Sequence, residues 1–262
     1  MGMTAQQRVP RPYELGYNQR SRGSELLHSL REKTRERGPI GALPALGQFA
    51  VCSAAYSMLH RRRTFRSGGQ DFPYLKQTTT TERCVEVPWV MAHIARAGMS
   101  GDQILEVGNV LGQYMELPHT IVDKYELDPR VSNIDIVDYR PAHRFPLVVS
   151  ISTLEHVGFD EAEREGGKFL RALRTIQKSC LAEAGKMLLT LPLGYNPEID
   201  ELVVTNATEL GTVRLLQRTS SLNFWGDVDP SIVASDPSRF AYGGRYAGAT
   251  VVALSEYTSP GD

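Results

Sequence analysis

Apolar and polar positions along this chain follow two regimes that meet near residue 100. Before that point the spacing is helical and irregular: Leu26, Leu27 and Leu30 recur within 24–33, and a second apolar patch runs over 46–59. Residues 67–73, Ser-Gly-Gly-Gln-Asp-Phe-Pro, read as a loop. The stretch 82–98 predicts a helix that turns Val85, Trp89 and Ile94 inward. Pro88 falls within or near its first turn, where a missing N–H is tolerated, and Gly98 suits the C-cap.

From Gly101 onward short apolar runs alternate with helical stretches. Strands are predicted at 103–107, 119–123, 146–151, 185–191, 212–217 and 248–255, and the clearest helix at 161–181. Strands separated by helices mean βαβ units and a mostly parallel sheet. The chain therefore divides into an N-terminal helical extension over 1–100, a lid or acceptor wall, and an α/β domain over 101–262.

Three apolar runs in that domain end on a carboxylate. The first is Ile-Leu-Glu-Val-Gly-Asn-Val-Leu-Gly over 104–112, the second reaches Asp123, and the third contains Asp135. Carboxylates at successive strand ends along one sheet edge describe a nucleoside pocket. Gly108 and Gly112 let a ligand approach the backbone, and a helix N-terminus after a glycine turn offers unpaired N–H groups. The dinucleotide fingerprint G-x-G-x-x-G is broken, since Asn109 and Val110 follow Gly108. Asp123 can accept both hydroxyls of a ribose. Asp135 can accept from the exocyclic amine of adenine while the Ile136 N–H donates to the ring, although a helix cap or a solvated loop explains Asp135 equally simply.

Composition narrows the classes. With 262 residues and 41% hydrophobic positions the chain can bury one sizeable core. A net charge of -1 argues against broad nucleic-acid binding. No apolar run is long enough to span a membrane, and the first twenty residues lack the apolar core of a secretory signal. Cys52, Cys84 and Cys180 are odd in number and scattered, so reduced thiols in a cytoplasmic protein are expected, with no metal pattern.

These residues resemble the class I S-adenosylmethionine-dependent methyltransferases. The match lies in Leu-Glu-Val-Gly over 105–108, Val-Asp-Lys-Tyr-Glu over 122–126, Asp135-Ile136, the run 145–157 and Gly-Lys-Met-Leu-Leu-Thr-Leu-Pro over 185–192. It covers residues 101 to 257. More narrowly, Glu-Arg-Cys-Val-Glu-Val-Pro over 82–88 and Leu-Pro-Leu-Gly-Tyr-Asn-Pro over 191–197 look like bacterial methyltransferases associated with glycan or natural-product gene clusters. The resemblance implies a Rossmann-like, doubly wound, seven-stranded sheet with a reversed last strand, and S-adenosylmethionine at the carboxyl ends of the strands. Carried over residue by residue, it places Glu106, Gly108, Asn109 and Gly112 around the methionine portion. Asp123 and Lys124 fall at the ribose, Asp135 and Ile136 at adenine, and Ser152 and Thr153 beside the sulfonium. Asn109 stands where the family has a second glycine, and asparagine tolerates left-handed backbone angles.

The activity this implies is methyl transfer to oxygen of a small molecule or glycan, with His156 as the candidate general base. Glu155-His156 as a brace for the following loop is the plainer alternative. Tyr195 and Asn196 either border the acceptor or form a turn. Arg61, Arg62, Arg63 and Arg66 either meet a phosphate or lie solvated. Residues 223–229 either line an aromatic subsite or pack over the sheet edge, and Asp227 and Asp229 lack the spacing of a magnesium site. A nicotinamide-dependent oxidoreductase and a non-catalytic S-adenosylmethionine-binding subunit are the competing functions.

Overall fold

A strand whose residues are apolar without interruption needs cover on both faces. That is how the centre of this fold is built. The computed structural model describes residues 58–60, 63–75, 81–115, 117–236, 239–243 and 248–261. The expected helix over 24–33, most of the patch over 46–59, Cys52, Arg61 and Arg62 lie outside them.

A small hairpin comes first, β1 (Thr64–Ser67) and β2 (Gln70–Pro73). It is followed by helix α1 (Arg83–Ala97). The main sheet then collects β3 (Ile104–Val107), β4 (Thr120–Val122), β5 (Val131–Ser132) and β6 (Phe145–Ile151). Helix α2 (Lys168–Thr175) runs into a π-helical turn (Ile176–Cys180) and the long β7 (Leu181–Pro192). Helix α3 (Pro197–Val204), β8 (Thr212–Arg218), β9 (Trp225–Val228), α4 (Pro230–Ala234) and β10 (Val251–Thr258) complete the order.

The sheet runs β5-β4-β3-β6-β7-β10-β8-β9. Strands β3 to β7 pair parallel, while β10 is antiparallel to both β7 and β8. This is the expected doubly wound, mostly parallel sheet with its last strand reversed. It carries one strand more than expected, because β9 adds antiparallel to β8 at the edge. Residues 223–229 are thus mostly an edge strand: Trp225 is buried, and its indole N–H donates to the Asn223 side chain at 2.8 Å.

Side chains alternate across the sheet and divide the core in two. Ile104, Leu147, Val149, Leu188 and Leu254 face the hairpin and α1. Leu105, Val148, Leu189 and Ala253 face α2 and α3. Residues before 100 therefore supply part of the sheet's cover directly. Three local expectations change. The segment 67–73 is a hairpin, not a loop: Gly68 and Gly69 both take positive φ (58° and 78°), as a two-residue turn between twisted strands requires. Helix α2 begins at Lys168, well after residue 161, because Gly166-Gly167 breaks it and Gly167 sits at φ 75°.

Pro88 stands in the second turn of α1, not the first. Having no N–H, it leaves the Cys84 carbonyl without its usual helical partner, and the Leu75 N–H bonds that carbonyl at 2.9 Å. The helix thereby holds the segment after the hairpin. Gly98 closes α1 in the left-handed conformation at φ 61°, as expected.

Candidate functional site

In an open α/β sheet, ligands settle beyond the carboxyl ends of the strands where the strand order reverses. Here that point lies between β3 and β6, which flank each other while β4 lies on the far side of β3. A cavity of about 550 Å³ opens there. Its wall takes Val107 and Gly108 from the end of β3, and Asp123 to Glu126 from the end of β4. Ile134, Asp135 and Ile136 follow β5, while Thr153, His156, Val157, Asp160 and Glu161 follow β6. The structure thus brings Gly108, Asp123, Lys124, Asp135, Ile136, Thr153 and His156 to one cavity.

Glycine at 108 has two physical reasons. Its φ of 87° disfavours any side chain, and a Cβ there would collide with the Thr153 side chain. Thr153 in turn is held by its hydroxyl, which donates to the Ile151 carbonyl at 3.1 Å. Asp123 lies just past β4, where its Oδ1 accepts the N–H groups of Tyr125 and Glu126 at 2.8 and 2.9 Å. Among the described residues its Oδ2 accepts no hydrogen bond, so half of the carboxylate is open to a ligand.

Asp135 is mostly buried, and its Oδ1 accepts the Val137 N–H at 3.2 Å, capping the turn after β5. Its Oδ2 accepts from Lys168 Nζ at 2.7 Å and pairs with Lys124 Nζ at 3.0 Å. Glu161 completes the group, bonded to Lys168 at 2.6 Å and pairing with Lys124 at 3.3 Å. Burial would raise the pKa of Asp135, but the two lysines outweigh it and hold the carboxyl below its ordinary value. Lys124 is thus tied to Asp135 as well as standing next to Asp123.

Four other expected site residues lie off the cavity wall. Glu106 is buried under the glycine turn, where its Oε1 accepts the N–H groups of Val110 and Leu111 at 2.7 and 2.5 Å. Its Oε2 meets His119 Nε2 at 2.6 Å, and His119 Nδ1 lies 2.7 Å from the Leu117 carbonyl. Burial alone would lower the His119 pKa, yet the Glu106 side chain raises it, and the hydrogen-bonded pair anchors the turn. Asn109 does not use left-handed angles; its Nδ2 donates to Glu126 Oε1 at 2.8 Å and ties the turn to the loop after β4. Gly112 lies in a 3-10 turn (Leu111–Gln113), where a Cβ would strike the Asn109 side chain. Ser152 turns away, its hydroxyl bonding Glu86 Oε1 at 2.5 Å.

The turn after β3 therefore differs from the anticipated helix N-terminus. It is a single 3-10 turn, and Glu106 already occupies the amides a pyrophosphate would need.

His156 lines the cavity with its side chain 45% exposed. Its Nδ1 is hydrogen-bonded to Asp160, which also accepts from the Tyr195 hydroxyl. With Nδ1 so engaged, Nε2 is the nitrogen left to take a proton, and it lies 3.7 Å from Glu155 Oε1. Asp160 was missed from sequence, although its spacing four residues after His156 was the available signal. Asn196 caps α3 by accepting the Glu198 N–H and donates to the Glu155 carbonyl at 3.0 Å, so it braces the loop. Arg66 is exposed, and Arg63 lies over the Phe224 ring at 5.0 Å. Among the described residues no helix is long and apolar enough to cross a membrane.

No family model and no curated protein matches the chain. Solved structures similar to it include the N-methyltransferase NodS of Bradyrhizobium japonicum with S-adenosyl-L-homocysteine, at 16% identity and a TM-score of 0.40, over 66% of this chain and 85% of that one. Another is the 1,6-didemethyltoxoflavin-N1-methyltransferase of Burkholderia thailandensis with S-adenosylhomocysteine, at 12% identity and a TM-score of 0.37, over 68% of this chain and 80% of that one. A third is an S-adenosylmethionine-dependent methyltransferase of Clostridium acetobutylicum, at 10% identity and a TM-score of 0.33, over 66% of this chain and 90% of that one.

Proposed function

We propose that this chain is an S-adenosylmethionine-dependent methyltransferase acting on oxygen of a small-molecule or glycan acceptor. The observation that carries the reading is the cavity at the strand-order reversal, with the half-open Asp123 carboxylate at the end of β4. Asp123 accepts the ribose hydroxyls, Asp135 and Ile136 receive adenine, and the missing Cβ of Gly108 leaves room for the methionine arm. A cavity of about 550 Å³ suits a nucleoside-sized ligand.

When bound, the cofactor supplies an electrophilic methyl group and its own leaving group. The chain's own work is then to orient the acceptor, exclude water and hold the acceptor's proton. His156 takes that proton at Nε2 while Asp160 fixes the ring through Nδ1. Tyr195 steadies Asp160 from the other side. Residues before 100 contribute the acceptor wall through Arg83 and Glu86 of α1, which bond the Ile151 carbonyl and the Ser152 hydroxyl at the end of β6. A nicotinamide dinucleotide is disfavoured because Glu106 has taken the amides of the turn.

Calorimetric titration with S-adenosylmethionine and S-adenosylhomocysteine tests this directly. Micromolar binding is expected for both; a folded protein that binds neither would sink the reading.

A further inference from the structure

We propose that Glu82, Glu86 and Glu155 form an anchor for the ammonium group of an amine-bearing acceptor. This rests on the methyl-transfer reading above and gives its acceptor a chemical class. Glu82 and Glu86 come from the start of α1, and Glu155 from the turn after β6. Helix α1 is set over that strand end by Arg83, which donates to the Ile151 and Ser152 carbonyls at 2.8 and 3.2 Å.

Buried charge must be paired or it is expensive. Here three carboxylates are 0 to 5% exposed, and Arg83 is the guanidinium among them. Its nearest approach to a carboxylate is 3.8 Å, to Glu86 Oε2. Some oxygens are satisfied: Glu86 Oε1 accepts from Ser152 and Glu82 Oε2 accepts the Ala249 N–H at 3.1 Å. Among the described residues Glu86 Oε2 and Glu155 Oε2 are fully buried with no hydrogen-bond partner in good geometry, although the Thr190 hydroxyl lies near enough to Glu86 to lower its pKa. Two orphaned acceptors in one cluster lack donors of the kind an ammonium, with three N–H bonds, carries.

The surroundings favour an organic cation over a metal. Among the described residues no set of three His, Cys, Asp or Glu side chains is arranged to hold a metal ion. Tyr242, 38% exposed, borders the cluster closely enough for all three carboxylates to raise its pKa, after burial itself. Its ring packs on Tyr195 at 4.7 Å, and Tyr195 packs on His156 at 4.9 Å. A carboxylate cluster with an aromatic ring beside it is chemistry that recognises ammonium. The anchor also sits where an acceptor needs it, one imidazole ring away from the cavity, since His156 lines the cavity and lies 3.7 Å from Glu155. Burial, with repulsion from Glu86, pushes the Glu82 pKa up to about 7, and burial raises those of Glu86 and Glu155; a bound ammonium would oppose that rise.

Calorimetry on the full chain at pH 7, with and without S-adenosylhomocysteine, tests this with matched probes: cyclohexylamine against cyclohexanol, and glucosamine against glucose. At least one amine should bind roughly tenfold or more tighter than its neutral counterpart, and Glu86→Gln or Glu155→Gln should each remove about that factor. Both variants should keep wild-type affinity for S-adenosylhomocysteine. Equal binding of amine and alcohol, no amine binding, amine affinity unchanged in both variants, or displacement of the amine by magnesium chloride would overturn the anchor. The wild-type comparison decides the matter even if a variant does not fold. Amine binding without S-adenosylhomocysteine binding would overturn the cofactor reading and leave the anchor standing; the reverse result removes the anchor alone.

Discussion

Two charged clusters stand near His156, one lining the cavity with it and one reaching it through Glu155, and they differ in depth and in their cations. Asp135 and Glu161 share two lysines, Lys124 and Lys168, at 2.6 to 3.3 Å. Glu82, Glu86 and Glu155 share one arginine whose shortest bonds go to backbone carbonyls. Burial pushes carboxyl pKa values upward in both places. In the first cluster the lysines overcome it, and both carboxyls fall below their ordinary value. In the second burial wins, and all three rise. The count of cations and the depth act together: the first cluster is shallower and has two lysines, and the second is almost fully buried with one arginine.

The cavity at the strand-order reversal should show the largest effect. Asp123→Ala is expected to weaken S-adenosylhomocysteine binding roughly 100-fold, as loss of charge-assisted hydrogen bonds to two hydroxyls implies. Unchanged affinity in a titration would remove Asp123 from the ribose. Asp135→Asn should come next, costing about 2 kcal/mol in urea unfolding at pH 7, because buried Lys168 loses a charged partner.

Glu86→Gln carries the opposite sign: a gain rather than a loss of stability at pH 8, since burial outweighs Arg83 and Ser152 and raises the Glu86 pKa in the folded chain. If both substitutions shift stability in the same direction, the contrast between the clusters fails.

The smallest effect is a slope. Glu82 faces Glu86, Arg83, Tyr242 and the Ala249 amide. Below the ordinary carboxyl value both folded and unfolded chains hold its proton. Between that value and about 7 only the folded chain does, so stability falls as pH rises through this window. Denaturation midpoints between pH 4.5 and 7.5 should show a decline that Glu82→Gln flattens by about 1 kcal/mol or less. No change in slope would mean that Glu82 ionises normally.

Much of the cavity at the strand-order reversal was legible because its signals are local. An apolar run, a glycine at a strand end and a carboxylate at the next strand end all fall within a few residues, and Asp123, Asp135 and Ile136 do meet one cavity. The hairpin was legible too, in Gly68-Gly69, but the dipeptide was read as a loop. Glu106 was misplaced because a carboxylate at a strand end faces either a ligand or its own turn, and only the buried His119 beside it settles which. The second cluster left no local trace: Ser152 and Glu86 are 66 positions apart, and their contact exists only once α1 packs over β6.

By itself the sequence determined the alternation of strands and helices, the parallel sheet and the line of strand-end carboxylates, because backbone periodicity and turn chemistry act over a few residues. The tertiary structure decided which carboxylates are paired, which amides the turn keeps for itself, and where the helix before residue 100 stands. Charge pairing depends on distance in space, and three glutamates become a site only when packing takes them from water together.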